Sequence, residues 1–183
     1  MQNAFCHSEG FFARSGAPPI IDLPNCIAEI SALLVAARRL EIAVLYTRHV
    51  YKEDLSDADS VTRRLFRSDS RLLARGSWDA EIIDELFPAS SEIVVEKNRY
   101  DAFLHTGLEN LLQQRGITSL VVCGVLTNVC VAITATAAYM RDFSIAVPSD
   151  CTAALDSDLK AAYLKSMGAF ADIRPWAELC LHP

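Results

Sequence analysis

The 183-residue chain predicts an α/β fold of three layers, with helices on both faces of a mostly parallel central sheet. Three observations point to it. Short apolar, β-rich runs alternate with stretches of helical periodicity, as in successive βαβ units. The strand candidates are continuous apolar runs, the mark of strands covered on both faces. Apolar residues make up 51% of the chain, with only seven Gly and seven Pro, so there is material for a buried core.

The elements follow in order. Residues 26–40 carry apolar residues at helical spacing, with Asp22 and Pro24 upstream as start signals. Residues 42–47 form a first strand candidate. Residues 48–78 are polar and irregular, and a loop of that length in a compact domain is usually functional. Residues 79–87 read as a helix stopped by Pro88, and 92–96 as a strand. Thr106 and Glu109 fit a capping box for a helix running to Arg115, with Gly116 at its C′ position. A strand over 118–124, a helix over 129–141, a strand over 143–147 and a helix over 157–167 complete the pattern. A short strand over 169–173 and a helical turn from Trp176 end it. Neither a repeat nor a linker interrupts the series, so residues 1–183 are taken as a single domain.

Composition excludes several classes of function. The net charge of −6 argues against binding nucleic acid through phosphate neutralisation. No apolar run is long enough to span a membrane, and the first residues carry neither the basic nor the apolar region of a signal peptide. The six cysteines lack zinc spacing, and a core-rich chain of this length needs no disulfide staples. A cytoplasmic protein with free thiols is expected, one of them a candidate nucleophile.

In a parallel sheet, ligands bind beyond the carboxyl ends of the strands. One such end is Cys123-Gly-Val-Leu-Thr-Asn-Val-Cys130. A tight turn at Gly124 then brings Cys130 to the start of the next helix, where the macrodipole and free N–H groups favour a thiolate and an oxyanion. Spacing alone leaves open a buried core cysteine. Lys97, at the end of the 92–96 strand, lies on the same rim and would stabilise a thiolate; the alternative is a solvated strand-end lysine. Arg99 suits a substrate carboxylate, or a surface ion pair with Asp101. Tyr100 and Phe103 are residues of pocket or core.

Together these segments resemble a known family. Glu96-Lys-Asn-Arg-Tyr-Asp-Ala-Phe103 followed by Gly124-Val-Leu-Thr-Asn-Val-Cys130 is similar to the isochorismatase-like cysteine hydrolases. Met1-Gln-Asn-Ala-Phe5 resembles the family's Asp-Met-Gln-Asn-x-Phe motif. Arg75-Gly-Ser-Trp-Asp79 resembles a segment of the ureidoacrylate and N-carbamoylsarcosine amidohydrolase branches. The resemblance implies Cys130 as nucleophile, Lys97 as its partner and a cis peptide at Val125–Leu126. It also implies an oxyanion hole from the N–H groups of Leu126 and Cys130. Trp78, Arg99 and Tyr100 are the expected substrate contacts. A homo-oligomer, a small-molecule substrate and no cofactor are also implied.

The chain departs from the pattern at its start. The family's catalytic Asp precedes the Met that is residue 1 here, so that Asp and the first, central strand are expected to be missing. Loss of a central strand would leave its neighbours with unpaired backbone groups. Two explanations compete: a natural start further upstream, or a short and catalytically impaired chain; the intact remaining motifs favour the first. The nicotinamidase branch carries a metal-binding Asp-x-His pair, but here Arg48 occupies the Asp position and His49 has no partner His before His105, so no metal is expected. The expected activity is hydrolysis of a small amide or ureido (carbamoyl) substrate through a thioester. The alternatives are an isochorismatase-type vinyl-ether hydrolase and a catalytically silent member acting in binding.

Overall fold

The computed structural model describes residues 1–65 and 72–181. Two short helices, α1 (Asn3–Cys6) and α2 (Phe11–Arg14), precede the long α3 (Leu23–Arg39). Then come β1 (Leu45–His49), α4 (Ser60–Leu65), β2 (Ile93–Lys97), α5 (Leu108–Gln114), β3 (Ser119–Val121) and β4 (Gly124–Val125). A π-helical turn over Thr127–Val131 leads into α6 (Ala132–Tyr139). The remainder is β5 (Ser144–Ala146), β6 (Thr152–Ala153), α7 (Ser157–Met167) and β7 (Ala171–Asp172).

Every pairing between these strands is parallel, as the alternation of strands and helices requires. The described strands form three sheets: β1–β2, β3–β5–β7 and β4–β6. β1 and β3 therefore each keep one edge without a strand partner among the described residues, and Val121 at the end of β3 is 40% exposed.

Alternation along the strands sends side chains to two apolar clusters. Leu45 and Val95 face one cluster with Leu108 and Leu112 of α5, Ala135 and Ala138 of α6, and Met167 of α7. Tyr46 and Val125 face the other, with Cys26, Ile30 and Leu33 of α3. Helices thus lie on both faces. α7 has the boundaries expected from sequence, and the Asp156 carboxylate caps it by accepting from the Leu159 N–H at 2.7 Å. None of the described helices is long and apolar enough to cross a membrane.

Three local expectations need correction. Residues 79–87 do not form a helix; two single 3₁₀ turns, Trp78–Ala80 and Asp84–Leu86, flank a bridge from Gln2 to Ile82. The reason is competition for backbone groups. The Asn3 N–H donates to the Glu81 carbonyl, and the Ile83 N–H to the Met1 carbonyl, so the bonds that would propagate a helix are taken by the chain's first residues. At α5 the cap is Gly107, and the Thr106 hydroxyl accepts from the Leu108 N–H instead. Glu109 turns away to pair with Arg141 at 2.9 Å, so the reciprocal half of the capping box is not made. Gly116 follows the helix in the left-handed region, φ 65°, as its placement at C′ requires. The strand expected over 42–47 is displaced to Leu45–His49, because the Ile42 N–H still closes the end of α3 on the Ala37 carbonyl.

The N-terminal segment folds back on itself at Gly10. A Cβ there would stand 2.0 Å from the Asn3 carbonyl oxygen and 2.9 Å from that of Ala4, both immovable backbone atoms. Gly10→Ala is therefore expected to cost at least about 2 kcal/mol, read as a lower urea midpoint. A midpoint equal to that of the unaltered protein would show that residues 3–10 do not pack in this way.

Candidate active site

β1 and β2 run side by side in register, His49 beside Lys97. Neighbours in a parallel pair project to the same face, so both side chains leave the carboxyl end of the sheet toward α5 and α6. The loop after β4 brings the π-helical turn, and with it Cys130, to the same rim.

The Lys97 side chain is 6% exposed. Its Nζ donates to the carbonyls of Arg99 at 2.8 Å and Tyr100 at 3.3 Å, and meets Cys130 Sγ at 3.5 Å. An ammonium has three hydrogens, and here each has an acceptor. The Lys97 side chain is thereby fixed beside the sulfur. The Tyr100 carbonyl also accepts from the Thr134 hydroxyl at 3.2 Å, tying the same loop to α6.

Cys130 is partly buried, and the turn that carries it folds around one carbonyl. Leu126 O accepts from the N–H groups of Val129 at 3.1 Å and Val131 at 3.3 Å. The Val125–Leu126 peptide bond is cis. The Leu126 N–H, at the mouth of this turn, has no acceptor among the described residues. It is available to an oxygen bound above Cys130.

The other expected site residues are divided. Tyr100 is 49% exposed and stands near Cys130; burial first, then the neighbouring Asp59 and Cys130, raises its phenol. Arg99 sits on the same loop, but its Nη1 donates to the carbonyls of Asp57 at 2.8 Å and Asn98 at 2.6 Å, holding the segment after β1 against β2. Trp78 is 42% exposed and packs edge-on against His7, with ring centroids 4.8 Å apart. Arg48 turns to the opposite face of the sheet and bonds Glu96 at 2.6 Å.

Two residues here had no assigned role. The Gln2 carboxamide is 3% exposed and grips the end of β1: its Oε1 accepts from the His49 N–H and its Nε2 donates to the His49 carbonyl, each at 2.8 Å. Nε2 also donates to the Ala80 carbonyl at 2.9 Å. A side-chain amide thus stands in for a neighbouring strand at the free edge of β1. His49 itself is 4% exposed, with rings of Tyr51 and Tyr100 edge-on at 4.6 and 6.3 Å. Burial first, then the cations of Lys97 and Arg99, push its imidazole from 6.5 down to about 3, against the weaker pull of Asp59. The sequence signal was the position of His49, at the end of its strand like Lys97.

A family profile described as the isochorismatase domain matches residues 1–178. The ureidoacrylate amidohydrolase RutB of Acinetobacter baylyi is 31% identical, over 93% of this chain and 75% of its own length. That of Methylobacterium radiotolerans is 34% identical, over 83% of this chain and 64% of its own length, so the chain spans rather less than the whole of such relatives. Among solved structures, a cysteine hydrolase from Pseudomonas syringae pv. phaseolicola superposes with a TM-score of 0.88 at 29% identity, covering 97% of this chain and 86% of that one. N-carbamoylsarcosine amidase from Thermoplasma acidophilum gives 0.77 at 26% identity, covering 99% and 95%.

The depressed His49 has a consequence for stability. Between pH 6.5 and about 3 the unfolded chain binds a proton at this residue that the native chain refuses. Its contribution is complete above pH 6.5 and is lost as the pH falls. From pH 6.5 to 4.5 the loss is about 2 kcal/mol. His49→Phe should remove that part of the slope, measured as the difference in urea unfolding free energy between pH 7 and pH 4.5. An unchanged slope in the variant would show that the histidine titrates normally in the fold.

Proposed function

The chain belongs to the isochorismatase family of hydrolases, and from that premise we propose that it cleaves a small amide or ureido (carbamoyl) substrate with Cys130 as nucleophile. The observation that carries this reading is the 3.5 Å contact between Lys97 Nζ and Cys130 Sγ at the carboxyl ends of a parallel sheet. Relatives whose names specify ureidoacrylate and N-carbamoylsarcosine support the substrate class.

The chemistry follows from the placement. Cys130 sulfur attacks the substrate carbonyl carbon and a C–S bond forms. The carbonyl oxygen takes up charge and is met by the N–H groups of Leu126 and Cys130. The Lys97 cation lies beside the sulfur throughout, favouring the anion before attack. The thiol's proton passes to water as the thiolate forms; as the C–N bond breaks, the departing nitrogen takes a proton from water and leaves as ammonia or an amine. Water then attacks the thioester, releasing the acid and restoring the thiol. Lys97, with its hydrogens committed, sets the electrostatics and does not carry the proton.

Cys130→Ser is expected to reduce turnover of a carbamoyl acid by at least about 10³-fold, since the weaker nucleophile lacks thiolate character. Intact-protein mass spectrometry of the unaltered protein, quenched in acid during turnover, should show an acyl adduct on Cys130. Lys97→Met should lower kcat by roughly 10²-fold or more while the fold is retained. Full activity in Cys130→Ser, or turnover without any adduct, would sink the covalent mechanism and favour hydrolysis of the vinyl-ether type.

A further inference from the structure

His49 has a feature that neither the fold nor the thiol chemistry uses. Its Nε2 is sealed from solvent and has no hydrogen-bond partner. The ring's other nitrogen has the Asn98 main chain as its partner, a contact that favours a proton on that nitrogen. Nε2 is then left as an unprotonated acceptor. A buried acceptor without a donor is costly, and native structures keep few of them without a use.

Its surroundings indicate the use. The register puts the His49 side chain on the same face of the sheet as Lys97, whose ammonium reaches Cys130. Tyr100 links the two places: its ring lies edge-on to His49, and its phenol responds to Cys130. The Tyr100 main chain is pinned by Lys97 and Thr134, but its side chain is half-exposed. That half-exposed ring touches His49, and its rotation needs no movement of the pinned main chain. A group bound at Cys130 has the Lys97 cation beside it and the His49 acceptor on the same face of the sheet.

We infer that His49 Nε2 is a specificity group that accepts a hydrogen bond from an N–H of the bound substrate. The site thereby selects unsubstituted carboxamides and ureido groups over esters and N,N-disubstituted amides. This deepens the proposed function and rests on it. A neutral imidazole suits the task better than a carboxylate, because it accepts from a neutral N–H without adding charge beside the sulfur. A site built around one such bond rejects the analogue that lacks the N–H, since the acceptor is then buried unpaired.

The test uses the full chain and two probes, N-carbamoylglycine and p-nitrophenyl acetate, the second having no N–H. His49→Phe should lower the carbamoyl-to-ester ratio of kcat/KM by about 10- to 100-fold, and His49→Gln, which keeps an acceptor oxygen, should restore much of it. A ratio that stays constant, whether both rates fall together or neither does, overturns the inference. A second readout does not depend on turnover. In Cys130→Ala protein labelled with ¹⁵N-histidine, the unprotonated Nε2 resonance of His49 should move upfield as N-carbamoylglycine is added. A resonance unmoved at saturating probe overturns the inference as well. The two levels fail differently: absence of an acyl adduct on Cys130 with either probe rejects the covalent chemistry, while the histidine resonance still reports on recognition.

Discussion

The buried ammonium of Lys97 is the constraint around which this end of the molecule is organised. A cation withdrawn from water must be repaid by acceptors placed around it. Two of them are the consecutive carbonyls of Arg99 and Tyr100, so the loop leaving β2 has to curl back over the lysine. The third is Cys130 Sγ, so the turn after β4 has to bring the sulfur over the same point. One side chain thus sets the position of two segments distant in sequence, and the candidate chemistry sits where they meet. The short parallel pair β1–β2 supplies the platform, because its register fixes which side chains share the lysine's face.

The chain's first residues complete the platform from the side. The Gln2 amide satisfies both backbone groups of His49, and Asn3 Nδ2 donates to the Trp78 carbonyl at 3.0 Å. These contacts hold the end of β1 and the segment around Trp78 in a common frame. They also explain why the polar residues Gln2 and Asn3 are buried: their amides meet main-chain groups that no strand among the described residues reaches. Arg14 adds a two-pronged pair with Asp79, 2% exposed, which fastens α2 to the same segment.

The convergence of Lys97 and Cys130 was legible because each lies beyond or at the carboxyl end of a strand. Lys97 and Cys130 each follow a run of apolar residues, and in a parallel sheet such positions converge on one rim. Arg99 and Trp78 were less legible. Their types suit substrate contacts, but Arg99 donates to neighbouring carbonyls and Trp78 packs on His7. For want of a partner histidine the sequence assigns His49 no metal role, and its position is decided by pairing across strands. Sequence periodicity reports which face of an element is apolar and says little about who stands beside whom.

The alternation of apolar runs with helical stretches was enough to determine an α/β architecture with parallel pairing, because a continuous apolar strand has to be covered on both faces. The pattern also determined α7, with its Asp156 cap, and the buried face of α3, whose periodicity suffices without a side-chain cap. Only the tertiary structure decided the segment after Trp78, where propensity favours a helix but residues 1–3 claim its backbone groups. It alone decided the π-helical form of the turn carrying Cys130, and the neighbourhood of His49. The first and last depend on bonds between residues far apart in the chain, and the turn, closed by its own local bonds, meets Lys97 through Cys130. No local pattern encodes those distant contacts, since the competing partner becomes available only when the chain is folded.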